Sequence, residues 1–137
     1  MKKSVAAHAQ ATTRHYTMHY PEHPARTSDP HYVDFNHYRK THIKTAKCFY
    51  ADSASPCGGG LELHHKIIEF SLQNGVDFKL LEKDFPGISD PTQIGAWVES
   101  DVNFVFYCAV HHRGHGGVHV ASSSDFTAEK YVTDLIS

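Results

Sequence analysis

Residues 103–119 read NFVFYCAVHHRGHGGVH, a run of β-branched and aromatic residues that turns abruptly into cysteine, glycine and four histidines. Phe104 to Cys108 has the composition of a buried strand, with Asn103 as a turn residue ahead of it. Gly114, Gly116 and Gly117 bar a regular helix across the histidine-rich part, because glycine is a poor helix former. A second stretch upstream, GGGLELHH at 58–65, has a related shape. Its three glycines end the loop ADSASPCGGG (51–60), where positive φ angles allow a tight turn. Leu61-Glu62-Leu63 then alternates with period two, and His64 and His65 arrive at the strand's end. Adjacent side chains on an extended segment point to opposite sides, so these two histidines are poorly placed to bind one ion. A division of labour between them is expected.

The chain between these stretches predicts short helices. Residues 67–74 end at Gly75, a favourable residue just past a helix, and Val76 to Phe85 continue helically before Pro86-Gly87. Asp90 is an N-cap followed by Pro91, opening Thr92 to Glu99 with Ile94, Trp97 and Val98 facing inward. Ser124-Asp125 caps a C-terminal helix whose Phe126, Tyr131, Val132 and Leu135 form an apolar face. Residues 1–30 contain Pro21, Pro24 and Pro30 and no sustained period, while 31–47 are more helical in character. The resulting expectation is an α+β chain without internal repeats: a basic, polar, partly ordered arm over 1–47, then one domain over 48–137 with a helical insertion at 67–99.

Composition narrows the function. The 137 residues are 40% hydrophobic, enough for one modest core. No stretch approaches the ~18 apolar residues of a membrane span, and Lys2-Lys3 are not followed by an apolar leader region. A soluble, cytoplasmic protein with no membrane partner is expected. Cys48, Cys57 and Cys108 are odd in number and irregularly spaced, which points to metal binding or simple burial rather than a disulfide framework. Thirteen histidines are present; imidazole is the commonest metal ligand and a good proton carrier near neutral pH. Seven of them, at 8, 15, 19, 23, 31, 37 and 42, are scattered, and six, His64, His65, His111, His112, His115 and His119, fall in two clusters. Charge is divided as well. The first fifty residues hold eight of the thirteen Lys and Arg but three of the fifteen Asp and Glu, a balance of +5 that leaves −7 for the rest. A basic arm interleaved with Tyr and His suits phosphate binding, and equally suits a solvated tail.

The order of strand, His-His, long connection, Asn, strand, Cys-x-x-His-His and a further His resembles the HNH, or ββα-metal, nuclease family. The pieces are LELHH (61–65), NFVFYC (103–108) and CAVHHRGHGGVH (108–119), spanning roughly residues 57–120. The resemblance, to small proteins of phage type acting in a host cytoplasm, implies a ββα-metal core and metal-dependent hydrolysis of DNA phosphodiester bonds with one divalent catalytic ion, Zn, Ni, Mn or Mg. It makes His64 a metal ligand and His65 the general base that takes a proton from the attacking water. Asn103 takes the place of the amide that holds the base's backbone. His112 is implied as a second ligand, with the third at His119, to which the Gly116-Gly117 turn can return the chain, or alternatively at His115. Arg113 is a candidate phosphate contact or a solvated arginine.

Many members of this family carry two Cys-x-x-Cys knuckles around a structural zinc. Here Cys108-x-x-His111 is similar to the second knuckle, whereas Cys57 has only Cys48, nine residues earlier, to stand for the first. A zinc site of Cys48, Cys57, Cys108 and His111 is one reading, and three ordinary buried thiols the other. Two other function classes compete with the nuclease. A non-catalytic, zinc-stabilised nucleic-acid-binding module has no use for paired histidines at a strand end. A metal enzyme acting on another substrate leaves the basic arm without a role.

Overall fold

Two strands, β1 (Leu61–His65) and β2 (Phe104–Cys108), pair antiparallel with Leu63 opposite Phe106 and His65 opposite Phe104. The structure is a computed structural model that describes residues 3–15 and 17–137. Lys2 and Tyr16, counted above with the arm's basic and aromatic residues, lie outside them. Among the described residues, five helices accompany this two-stranded sheet: α1 (Tyr32–His42), α2 (Phe78–Asp84), α3 (Pro91–Val98), α4 (Ala109–Arg113) and α5 (Ser123–Ala128). The fold is a small α+β arrangement in which each face of the sheet has its own cover. Among the described residues, no helix is long and apolar enough to cross a membrane.

Strand alternation decides what each face carries. On one face Leu63, Phe104 and Phe106 are buried under Phe35 and Tyr38 of α1, together with Ile43 and Ala46. Truncating either phenylalanine to alanine would remove about 3–5 kcal/mol of stability, the usual penalty for emptying a packed aromatic site. On the other face Val105 and Tyr107 pack with Cys48, Cys108 and Phe126, and Tyr50 stacks 6.0 Å from Tyr107. The inserted segment forms a separate cluster of Phe70, Leu81, Ile94, Trp97 and Val98. It is anchored by α3, whose Asp90 and Gln93 make a reciprocal capping box around Pro91.

Two local expectations need correction. Residues 67–74 do not form a regular helix: the chain bends at Lys66 and Ile67, is extended at Glu69 and makes only a 3-10 segment, Phe70–Gly75. The Ile68 carbonyl, which a helix would offer to Leu72, accepts instead from the Asn103 side chain, and Leu72 N–H turns to Glu69. At the C-terminal end the cap is Ser122 rather than Ser124, and α5 has six residues. Of the expected apolar face only Phe126 is buried; Tyr131, Val132 and Leu135 are 74%, 48% and 47% exposed. Beyond the end of α5 at Ala128, the Lys130 carbonyl accepts from Ala54 N–H at 2.8 Å, which ties this segment to the loop before β1.

The N-terminal segment divides into two parts. Residues 3–15 and 17–25 have no regular secondary structure. From Arg26 onward the chain packs on the domain: a 3-10 turn, Arg26–Ser28, leads to α1 against the sheet.

Candidate metal centres

His64 and His65 diverge as β alternation requires. His64 lies on the Tyr107 face, 5.6 Å from that ring, and His65 on the α1 face, 5.2 Å from Phe35 and 5.7 Å from Phe104.

On the His64 side, α4 and the turn after it deliver two more imidazoles. Cys108 caps α4 through its sulfur, which accepts from His111 N–H, and Gly114 ends the helix after one turn. The chain then folds back on itself, with Val118 N–H donating to the His111 carbonyl at 2.9 Å and His119 N–H to the His112 carbonyl at 3.1 Å. Glycine is required in that return. Gly116 has φ +75°, and a Cβ on Gly117 would lie 2.7 Å from the Val110 carbonyl oxygen. The His112 Nε2 consequently lies 3.2 Å from His64 Nδ1 and 3.0 Å from His119 Nε2. Three ring nitrogens facing one another at these distances have room for one ion between them, and each residue offers a ligand atom within 4.8 Å of the others. His115 is directed away, to a main-chain oxygen of Ser137.

Burial and neighbouring imidazoles disfavour charge on His64 and His119. His64 is pushed down to about 3 by burial first, then by His119 and His112. His119 is lowered for the same reasons, although Glu69 opposes the shift. Deprotonated imidazole is the form a metal binds. Carboxylates hold the outer nitrogens: Glu62 Oε1 lies 3.0 Å from His112 Nδ1, and Glu69 Oε1 lies 3.8 Å from His119 Nδ1. The hydrogen bond from His112 is the main reason Glu62 titrates low, with Arg113 assisting. A carboxylate behind a ligating histidine fixes its tautomer and aims its other nitrogen. Arg113 gives its Nε to both Glu62 oxygens, at 3.0 and 3.1 Å, and is otherwise exposed.

One residue earlier on α4, His111 points into the other cluster. Its Nδ1 lies 3.2 Å from Cys48 Sγ, 3.6 Å from Cys57 Sγ and 3.3 Å from Cys108 Sγ, and its Nε2 is held by the Ser55 carbonyl at 3.1 Å. Ser55 in turn donates to Glu129. This Cys3His group could hold a metal ion such as zinc, for which four such donors are a complete set. Loss of surrounding water, and then the Cys108 and Cys48 thiols, raise Cys57 to about 12. Cys108 is held low despite desolvation, because the backbone N–H groups of His111 and Gly58 point at its sulfur.

Asn103 is fully buried and makes four bonds. Its Oδ1 accepts from Ile67 and Ile68 N–H at 2.9 and 3.1 Å, and its Nδ2 donates to the Ile68 and Val98 carbonyls. The backbone immediately after His65 is thereby stapled to the start of β2.

His65 Nε2 lies 3.1 Å from Glu99 Oε1, and the same oxygen accepts from Arg26. His64, His65, His112, His119, Arg26 and Glu69 are among the residues lining one cleft of ≈ 300 Å³. Sequence reasoning missed Glu62, Glu69, Glu99 and the place of Arg26. Glu62 was legible, since it precedes His64 by two residues on a strand and must share its face. Glu69, Glu99 and Arg26 reach the cleft through contacts that no local period announces.

Comparison of the chain with protein-family models, with curated proteins and with solved structures finds no match.

Proposed function

We propose that this chain is a metal-dependent endonuclease of the HNH type, in which β1, β2 and α4 form a ββα-metal core and DNA is the substrate. The observation carrying this reading is the cleft itself. Three convergent imidazoles, His64, His112 and His119, and a fourth, His65, turned to the other face of the same strand, line a single open depression. Three protein ligands leave coordination positions free, as catalysis at a metal requires, whereas a purely structural site closes with four. A divalent ion held there would neutralise charge building on the phosphate and on the departing oxygen.

The protein's own groups supply the rest. His65 faces the cleft with one nitrogen engaged by Glu99, leaving Nδ1 to accept the proton of an attacking water. Asn103 fixes the backbone behind it, and Glu62 orients His112. His119, not His115, completes the ligand set in this reading, and the Cys48/Cys57/Cys108/His111 group carries a structural zinc that ties the loop before β1 to α4. Lys3 and Arg14, ahead of Arg26, are exposed and would meet phosphates.

Cleavage of supercoiled plasmid should occur with the protein as purified or with added Mn²⁺, Ni²⁺, Zn²⁺ or Mg²⁺, stop with EDTA, and return on metal add-back. Binding of DNA without any cleavage under all four metals would instead establish the zinc-stabilised binding module, for which the Cys3His group alone suffices.

A further inference from the structure

We propose that Glu99 and Arg26 are positioning residues for His65, so that the first packed turn of the N-terminal segment is a working part of the cleft. The proposal rests on the reading of His65 as the base and extends it to two residues outside the family-like motif.

The placement of Glu99 is costly for folding alone. Its side chain is fully buried at the C-terminal end of α3, where the last helical carbonyls already present negative partial charge. A buried carboxylate carries a desolvation penalty of several kcal/mol unless it is well paired. The pairing here is lopsided. Oε1 serves both His65 and Arg26, while Oε2 is buried without a partner. A carboxylate placed only to stabilise the fold would satisfy both oxygens, because an orphaned buried acceptor loses its water with nothing in return. The direction of its one used oxygen, toward the imidazole, is what the arrangement provides.

Arg26 holds that oxygen in place. Its guanidinium carbon lies 4.8, 5.0 and 4.8 Å from the ring centres of Tyr32, Phe35 and Phe70, and Asp29 pairs with it at 3.4 Å. Phe35 also packs on His65, so the same ring contacts both ends of the chain of groups. Rings from α1 and from the inserted segment therefore clamp an arginine of the arm onto a carboxylate of α3, and the carboxylate onto a histidine of β1.

The chemical consequence is the tautomer of His65. Neutral imidazole carries one N–H. A carboxylate accepting at Nε2 keeps the proton there and leaves the Nδ1 lone pair for a water proton. When that proton moves from water oxygen to Nδ1, the Glu99 side chain faces the resulting imidazolium through Nε2–H.

The test uses single-turnover plasmid cleavage at saturating full-length protein. Glu99→Gln and Arg26→Gln should each lower the rate, Glu99→Gln by roughly 10- to 100-fold as is usual for groups orienting a site residue, with DNA affinity and metal affinity unchanged. Introduced into His65→Ala, Glu99→Gln should cause no further loss, since a residue acting through His65 has nothing left to position. A full additional loss in the double variant, or wild-type rates for both single variants while His65→Ala is impaired, would overturn the proposal. An unimpaired His65→Ala would overturn the base reading itself. Nitrogen chemical shifts of His65 supply a readout independent of cleavage and of variant folding: the wild-type protein should show the Nε2–H tautomer, and an Nδ1–H tautomer would sink the idea. Arg26→Gln, at a partly exposed position, keeps the rate test valid should Glu99→Gln fold poorly.

Discussion

His111 and His112 are neighbours on one turn of helix, yet they serve two clusters of opposite character. His111 is buried among three thiols, with its second nitrogen locked by Ser55. His112 joins two other imidazoles at the edge of an open cleft, with its second nitrogen backed by Glu62. Both clusters could hold a metal, but four protein donors, three of them buried, fill a tetrahedral set, whereas three donors beside a cleft leave positions open. One short helix, capped by Cys108 and stopped by Gly114, sets both directions. The contrast teaches that coordination number and solvent access, rather than the count of histidines, separate a stabilising site from a reactive one.

The sharpest way to break this comparison is to remove a thiolate. Cys108→Ser should release a zinc that the wild-type protein retains through dialysis, and lower Tm by roughly 10 °C or more, because structural zinc contributes folding free energy directly. Zinc content by mass spectrometry and a thermal melt check both parts. Loss of the same zinc in His64→Ala would show that the two clusters are not independent sites.

A second contrast lies within β1. His65→Ala should reduce single-turnover cleavage by ~10²-fold or more with metal affinity nearly intact, since general-base assistance is worth about that factor. His64→Ala and His112→Ala should instead weaken metal binding, which titration calorimetry with a transition metal would register.

The cleft's third ligand can be sharpened further. His119→Ala should abolish metal-dependent cleavage, while His115→Ala should change it less than about threefold, because an exposed imidazole contributes no ligand bond. The opposite result would move the third ligand to His115.

A further effect concerns pH. Burial holds His64 near 3 in the folded, metal-free protein, below the ordinary histidine value of about 6.5 in the unfolded chain. Below pH 6.5 the unfolded chain takes up a proton that the folded one refuses, so stability should fall steadily as pH drops from about 6.5 toward 3. Melts in EDTA across that range, compared with His64→Gln, should show a shallower slope for the variant.

Legibility followed the range of the interactions. The strands were legible at Leu61–Leu63 and Phe104–Cys108, because alternation and β-branched composition are local properties. The cap at Asp90-Pro91 was legible for the same reason. The 67–74 segment was misread as helix because the buried Asn103 amide, thirty-five residues away, takes the Ile68 carbonyl. The length of α5 was misread: past Ala128 the chain leaves the helix, and its Lys130 carbonyl bonds to Ala54, seventy-six residues away. Glu62 could have been found from strand period; Glu99 could not, since a glutamate at the end of a short helix carries no mark of its burial.

By itself the sequence determined that His64 and His65 part to opposite faces, that glycines return the chain after His112, and that α4 cannot extend past Gly114. These are consequences of backbone geometry over a few residues. Only the tertiary structure decided that His119 rather than His115 meets His64, that Cys48 and Cys57 close on Cys108, and that Arg26 and Glu99 reach His65. Those meetings join residues far apart along the chain, and such pairs are selected by which apolar faces bury one another, a property of the packed whole that no window of sequence contains.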